Sequence, residues 1–190
     1  MKLEETIQTR RSLFPKQMSG EMVPSEVIER MLDLANWAPT HRNTEPWRFK
    51  VYSGNTMNKL LDCCKECYVR ETPSHTFNSM KVEKIERCKE QVSHIIVICM
   101  KRNDIVPEFE EIAATAMAVQ NMWLYLASTD KYGGYWSTPS YALGTHFKKH
   151  LNLEENERCL GLFYVGGIAE NVTLPRGNRG GWRDKVTQHF

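Results

Sequence analysis

The sequence predicts a single α+β domain, on three observations. Helical and extended patterns alternate too irregularly along the chain for a doubly wound parallel sheet. Two short runs, His94 to Met100 and Leu160 to Gly166, are apolar almost throughout and of strand length, as strands buried on both faces are. Between them, the apolar residues from Glu110 to Ser128 recur at helical spacing around most of the circumference. A chain of 190 residues can bury one sizeable core and is short for two. With no repeat, low-complexity tract or linker to divide it, the domain is read as residues 1–190.

Taken in order, Leu3 and Ile7 predict a short first helix ending near Thr9. From Pro24 to Trp37, Val27, Met31 and Ala35 join Ile28 and Leu32 in one stripe. Ser25 reads as the N-cap, and Ala38-Pro39 stops the helix because a residue before proline avoids the α region. Trp47, Phe49 and Val51 then alternate with Arg48, Lys50 and Tyr52, the period of a half-buried strand. Residues 55–69 read as helix, and the polar stretch 77–90 is expected to include a surface helix.

The long helix carries Ile112, Ala116, Val119 and Trp123 on one stripe and Ala113, Met117, Gln120, Leu124 and Ala127 on another. A helix so apolar is expected to be buried, and its small residues would let it pack closely on a neighbour, including a second copy of itself. Gly133-Gly134 leads into a short strand at Tyr135-Trp136. Residues 141–150 read as helix, and the tail from 171 to 190 shows little periodicity.

Composition excludes several classes. Apolar residues are 41% and charged residues 25%, an ordinary globular mix. The net charge is only +2, with Lys and Arg interleaved among Asp and Glu, so nucleic acid is not an expected partner. No apolar run approaches the roughly 20 residues a bilayer requires, and the opening Lys2, Glu4 and Glu5 do not resemble a secretory signal. The expectation is a soluble, cytoplasmic protein without membrane contact. Of six cysteines, Cys64 and Cys67 have a C-x-x-C spacing, but no second pair follows at zinc-site spacing, so reduced thiols and no metal are expected.

There is no G-x-G-x-x-G, Walker A sequence, G-x-S-x-G or H-E-x-x-H. Two features carry chemistry instead. Thr9-Arg10-Arg11-Ser12 places two guanidinium groups and a hydroxyl just after a helix, a combination able to grip a phosphate through charge-assisted hydrogen bonds, although on charge patterning alone solvated arginines at a helix end are the commoner reading. The polar loop between Trp37 and Trp47 offers Thr40, His41 and Asn43 as donors and acceptors for the edge of a flat heteroaromatic ring, or is simply a loop pinned by prolines and buried tryptophans.

Arg10-Arg11-Ser12 followed by Ala38-Pro39-Thr40-His41-Arg42-Asn43-Thr44-Glu45-Pro46-Trp47-Arg48-Phe49 resembles the nitroreductase family, whose pattern runs Arg-Arg-Ser, then Ala-Pro-Ser-x-x-Asn-x-Gln-Pro-Trp and a strand. The resemblance continues through Gln120-Asn121-Met122-Trp123-Leu124, Gly133-Gly134-Tyr135-Trp136 and Leu162-Phe163-Tyr164-Val165-Gly166. It implies an FMN-binding fold with a mixed central sheet flanked by helices, forming an intertwined homodimer with the flavin at the interface. Carried over, Arg10, Arg11 and Ser12 would hold the phosphate and ribityl chain. Thr40, His41 and Asn43 would reach the flavin, partly from the partner subunit. Trp136, Ser137 and Thr138 would lie at the strand end facing the flavin near N5, and Arg179 in the basic tail would be a further phosphate contact. Glu45 stands where the family often has Gln, His41 where it often has a small residue, and Ser137-Thr138-Pro139 replaces the commoner strand endings.

The implied activity is FMN-dependent NAD(P)H oxidoreduction. NADH or NADPH delivers a hydride to flavin N5 and leaves, and a nitroaromatic, quinone or similar small-molecule acceptor then takes its place, giving ping-pong kinetics with no catalytic protein nucleophile. The same fold admits reductive dehalogenation, an FMN-consuming oxygenation, oxidation of a peptide-derived ring, or FMN binding without turnover. The covering segment from Cys67 to Lys84 is expected to decide among them.

Overall fold

The computed structural model describes residues 2–175 and 177–189, so of the predicted domain Met1, Arg176 and Phe190 lie outside the described residues. Helix α1 spans Leu3–Thr9, α2 Ser25–Ala35, strand β1 Trp47–Ser53, α3 Gly54–Glu71, α4 Ser79–Gln91, β2 His94–Lys101, α5 Glu108–Ser128, β3 Tyr132–Ser137, α6 Thr145–His150 and β4 Glu157–Gly167. Three expectations shift in detail. Pro24, not Ser25, is the N-cap of α2; its extended backbone (φ −56°, ψ 144°) starts the helix without a side-chain hydrogen bond. The stretch 141–150 is split by Gly144 into a 3-10 turn at Ser140–Leu143 and the short α6. The tail forms one 3-10 turn, Arg183–Lys185.

The four strands form one sheet in the order β1-β2-β4-β3, and each neighbouring pair is antiparallel. The helix-flanked α+β architecture is therefore present. A mixed sheet requires a parallel pair, and none occurs among the described strands. The two apolar runs are the central strands, covered on both faces. Ile95, Val97, Cys99, Leu162 and Tyr164 pack into a layer with α3, α4 and α6. Ile96, Ile98, Phe163 and Val165, alternating with them, pack into the opposite layer with α2 and α5. Period-two alternation thus sends successive apolar side chains into two different cores, which is why neither strand shows a polar face.

Only one side of α5 is buried. Ala114, Thr115, Ala118, Val119, Met122 and Leu126 lie against the sheet, whereas Ile112 and Met117 are exposed and Phe109 is 70% exposed. Within one chain the helix is not covered all round: Ile112, Ala113, Met117 and Gln120, drawn from both stripes, face outward. The N-terminal end of α5 is tied down by Glu111, which is fully buried, pairs with Arg102 and accepts the Asn103 backbone N–H at 3.0 Å.

At the other end of the molecule, β3 passes so close to β4 and α5 that a Cβ on Gly134 would overlap the ring of Phe163. That ring is fully buried and packs edge-on against Trp123 at 5.5 Å between centroids. Gly134→Ala should therefore cost about 1–3 kcal/mol by overpacking. The check is the urea unfolding midpoint; an unshifted midpoint would show that Phe163 has room to move.

All six cysteines are free. Burial pushes the Cys63 thiol up to about 12 and Cys88 to about 11, while the Cys99 thiol, donating across the strand pair, holds the half-buried Cys159 below the ordinary thiol value. Alkylation follows the thiolate. Brief iodoacetamide treatment of native protein at pH 8 should modify Cys159 before any other cysteine, as peptide mass mapping would reveal; early labelling of Cys63 or Cys88 would contradict this packing.

Candidate functional site

The segment after α1 is drawn along the sheet edge by the Leu13 N–H, which donates to the Gly134 carbonyl at 3.0 Å. This lays Arg10, Arg11 and Ser12 across the end of α5. The Arg10 guanidinium stacks over Trp123, its Cζ 4.4 Å from the ring centroid. Both Arg10 Nη1 and Trp123 Nε1 are buried without a hydrogen-bond partner. Both residues line a cleft of about 320 Å³, whose walls include Arg11, Asp130, Tyr132 and Leu174.

Burial, and then the positive charges of Arg11 and Arg179, pull Arg10 below the ordinary guanidinium value. Arg11 and Arg179 are thus close enough to repel Arg10. Buried unpaired donors are costly, and together with like-charge repulsion they leave a site short of negative charge. Asp130 is the carboxylate in the cleft wall, and it is exposed.

Arg11 has a different task. Its Nε donates to the Pro175 carbonyl at 3.0 Å and its Nη1 to Gln8 and Arg10 carbonyls at 2.8 and 2.6 Å. A Cβ on Gly177 would overlap its guanidinium. Arg11 therefore clamps the tail against α1 and helps bring Arg179 near Arg10. Ser12 is half-buried, and the Arg179 side chain is exposed, donating to the Asn178 carbonyl at 3.2 Å.

Thr40, His41 and Asn43 lie elsewhere. They belong to a 3-10 turn in which Arg42, Asn43 and Glu45 all have positive φ (52°, 53° and 41°), a backbone that Asn tolerates and the other two resist. Side chains hold it. Thr40 Oγ1 accepts the Glu45 N–H at 3.2 Å and meets Thr44 Oγ1 at 3.1 Å, His41 Nδ1 pairs with Glu110, and Asn36 accepts the Trp47 indole N–H at 3.0 Å. Glu110 is at the start of α5 and Trp123 thirteen residues along it. At 1.5 Å per residue the loop and the Arg10 cluster are about 20 Å apart along the axis, so one chain's loop and its own Arg10 cannot grip the same phosphate.

At the end of β3, Trp136 donates its indole N–H to the Leu160 carbonyl at 3.0 Å, and Thr138 is exposed. Ser137 lines a second cleft, of about 510 Å³, between α4 and the sheet. Phe14, Tyr68, Tyr135, Tyr141 and Tyr164 form its apolar surface, with Lys16, Lys81 and Lys84 around them. Burial pushes the Tyr141 and Tyr164 hydroxyls upward, so both stay neutral phenols. The three lysines were not singled out from the sequence, although Lys81, Lys84, Ile85 and Cys88 recur at the spacing of one helical face. The segment expected to cover the site does reach this cleft, through Tyr68, Lys81 and Lys84. Among the described residues, no group of three or more His, Cys, Asp or Glu is placed to hold a metal ion, and no helix is long and apolar enough to cross a membrane.

Residues 7–167 match the family model described as the nitroreductase family. The chain is 28% identical over 168 residues to a putative NAD(P)H nitroreductase, YfhC, of Bacillus subtilis, covering 86% of this chain and 83% of the relative. It is 25% identical to an iodotyrosine deiodinase of Nematostella vectensis, covering 90% of this chain and 69% of that one. Among solved structures, it is similar in fold to the FMN-dependent nitroreductase NfnB of Mycobacterium smegmatis in complex with NADPH, with a TM-score of 0.76 and 16% identity over 98% of this chain and 97% of the other.

An anion that enters the Arg10 cleft should stabilise the fold, because it binds the folded state alone. Inorganic phosphate is expected to raise the melting temperature more than chloride at equal ionic strength, and Arg10→Ala should abolish the difference. Equal responses to both salts would show that the cluster is merely solvated.

Proposed function

The chain belongs to the nitroreductase family, and from that premise we propose that it is an FMN-dependent NAD(P)H oxidoreductase that works as a homodimer. The observation that carries the reading is the Arg10 cleft, where two buried N–H donors lack partners and the positive charges of Arg11 and Arg179 bear on Arg10. Such a donor set fits the phosphate of FMN. Arg10 and Arg179 hold the phosphate, Arg11 positions the tail that carries Arg179, and Ser12 offers its hydroxyl to the ribityl chain. Bound FMN supplies hydride acceptance and donation, passing electrons from a nicotinamide donor to a nitroaromatic, quinone or similar conjugated acceptor. The neutral phenols and apolar walls of the second cleft keep water from the reacting face, and Ser137 borders that cleft at the strand end.

The dimer follows from α5. Its outward stripe of Ile112, Ala113, Ala116, Met117 and Gln120 is a face of small and adaptable residues left bare by its own chain. Two copies of α5 crossing antiparallel between Ala116 and Met117 set Glu110 of one copy opposite Trp123 of the other. The Thr40–Glu45 loop of each subunit then reaches the Arg10 cleft of its partner, so each site is complete only in the dimer. Within it, Thr40 and Asn43 contact the flavin, and His41, held by Glu110, keeps the strained turn in place.

A second reading, reductive removal of a halogen from an aromatic ring, is favoured by the similarity to the deiodinase and uses the same residues for the cofactor. Purified protein should show flavin absorption bands that NADH or NADPH bleaches anaerobically. Nitroaromatic or quinone should restore the bands under the main reading, and an iodinated phenol with iodide release under the second. Flavin bands that resist both nucleotides would overturn either reading. Arg10→Ala removes a charge-assisted contact worth roughly 1.5–3 kcal/mol, about 10- to 150-fold in FMN affinity by fluorescence titration.

A further inference from the structure

We propose that Cys159 and Cys99 form a peroxide-sensitive thiol pair that closes reversibly into a disulfide across the two central strands. The inference is independent of the flavin. Cys159 on β4 is the register partner of Cys99 on β2, beside the bulge between Ile98 and Cys99. Residues directly opposite in an antiparallel pair have Cα atoms about 4.5–5.5 Å apart, within the roughly 4.4–6.8 Å that a disulfide spans. Both side chains enter the layer that packs on α3, α4 and α6. The thiols meet there, that of Cys99 donating to that of Cys159, whose own thiol lies 3.9 Å from the Gly161 carbonyl.

Access and ionisation set Cys159 apart. The other five cysteines are buried, and Cys159 is half-buried. Its layer lies across the sheet from α5, so a dimer built on that helix leaves it open. The thiolate is the form that attacks a peroxide, and the hydrogen bond from Cys99 favours it at Cys159. Cys63 and Cys67 also approach, at 3.8 Å between sulfurs, but both are buried and burial keeps both protonated. The chemistry balances in two steps. Cys159, its proton given to solvent, attacks one oxygen of hydrogen peroxide; the O–O bond breaks, and the departing hydroxide takes up that proton as water. The Cys99 sulfur then attacks the Cys159 sulfenic acid; the S–O bond breaks, and the hydroxyl leaves with the Cys99 proton as a second water. Two electrons pass from the thiols to the peroxide, and an external dithiol restores the pair by exchange.

The test is non-reducing peptide mass mapping of the purified native protein, exposed to hydrogen peroxide with no nicotinamide added and then blocked at its free thiols. A cross-linked peptide pair joining Cys99 to Cys159 is expected, and dithiothreitol should abolish it. Cys99→Ala removes the resolving sulfur, so Cys159 should stop at the sulfenic acid and be trapped by dimedone. Should that buried substitution prevent folding, Cys159→Ser at the half-buried position takes its place; it should form no cross-link and leave Cys99 reduced. Three results in the unaltered protein would each overturn the proposal: Cys159 oxidised to the sulfinic acid beside a reduced Cys99, a cross-link joining Cys63 to Cys67 instead, or a Cys159 that stays reduced in excess peroxide.

Discussion

Packing one face of α5 on the sheet, through Ala118, Met122 and Leu126, makes its two ends fixed points in the molecule. The N-terminal end carries the buried Glu111 that binds Arg102, and beside it Glu110 that holds His41. The far end presents Trp123, against which Arg10 stacks. A stiff helix cannot bring these ends together, and about 20 Å of rise separates them. Two groups of site residues that the family resemblance links are therefore far apart in one chain. The outward stripe of the same helix offers the means of joining them, through a second copy laid antiparallel.

Unbalanced positive charge in a buried setting marks the Arg10 cleft. Arg30, Lys65, Lys89, Lys101 and Arg102 each have a carboxylate partner. Arg10 instead has an aromatic ring beneath it, two arginines near it and a buried nitrogen with no acceptor. Lys81, by contrast, is solvent-exposed above the Tyr68 ring. The exposed ion pairs, such as Arg30 with Asp33, contribute little to stability, unlike the buried pair of Arg102 with Glu111. The buried Arg10 nitrogen costs stability while it lacks a partner, and an anion received from outside explains it.

Much of the fold was legible because it depends on local periodicity. Leu3–Thr9, the two buried strands and the long helix all appear where their apolar spacing places them. Pro24 displaced Ser25 as the helix start because extended φ/ψ, not a hydroxyl, defines that boundary here. Which residues of α5 face outward was not legible, because apolar spacing reports that a stripe is covered but not by which chain. In the site, Arg10-Arg11-Ser12 was visible as a charged cluster, yet nothing in its spacing separated Arg11, spent on main-chain carbonyls, from Arg10, left with a free nitrogen. Lys81 and Lys84 went unnoticed because surface lysines on a polar helix are ordinary until folding sets them beside Tyr68 and Tyr141. The strain at Arg42 and Glu45 has no sequence signal, since neither residue type announces positive φ.

The central claim is that each flavin site draws Arg10 from one subunit and the Thr40–Asn43 loop from the other. Co-expressing an Arg10→Ala chain with a Thr40→Ala/Asn43→Ala chain tests it directly, because each variant alone lacks half of every site. Random pairing makes half the dimers mixed, and each mixed dimer regains one intact site of two, so FMN content should recover to about one quarter of the unaltered protein's. A co-expressed sample that holds no more FMN than the two variants measured separately would contradict the account.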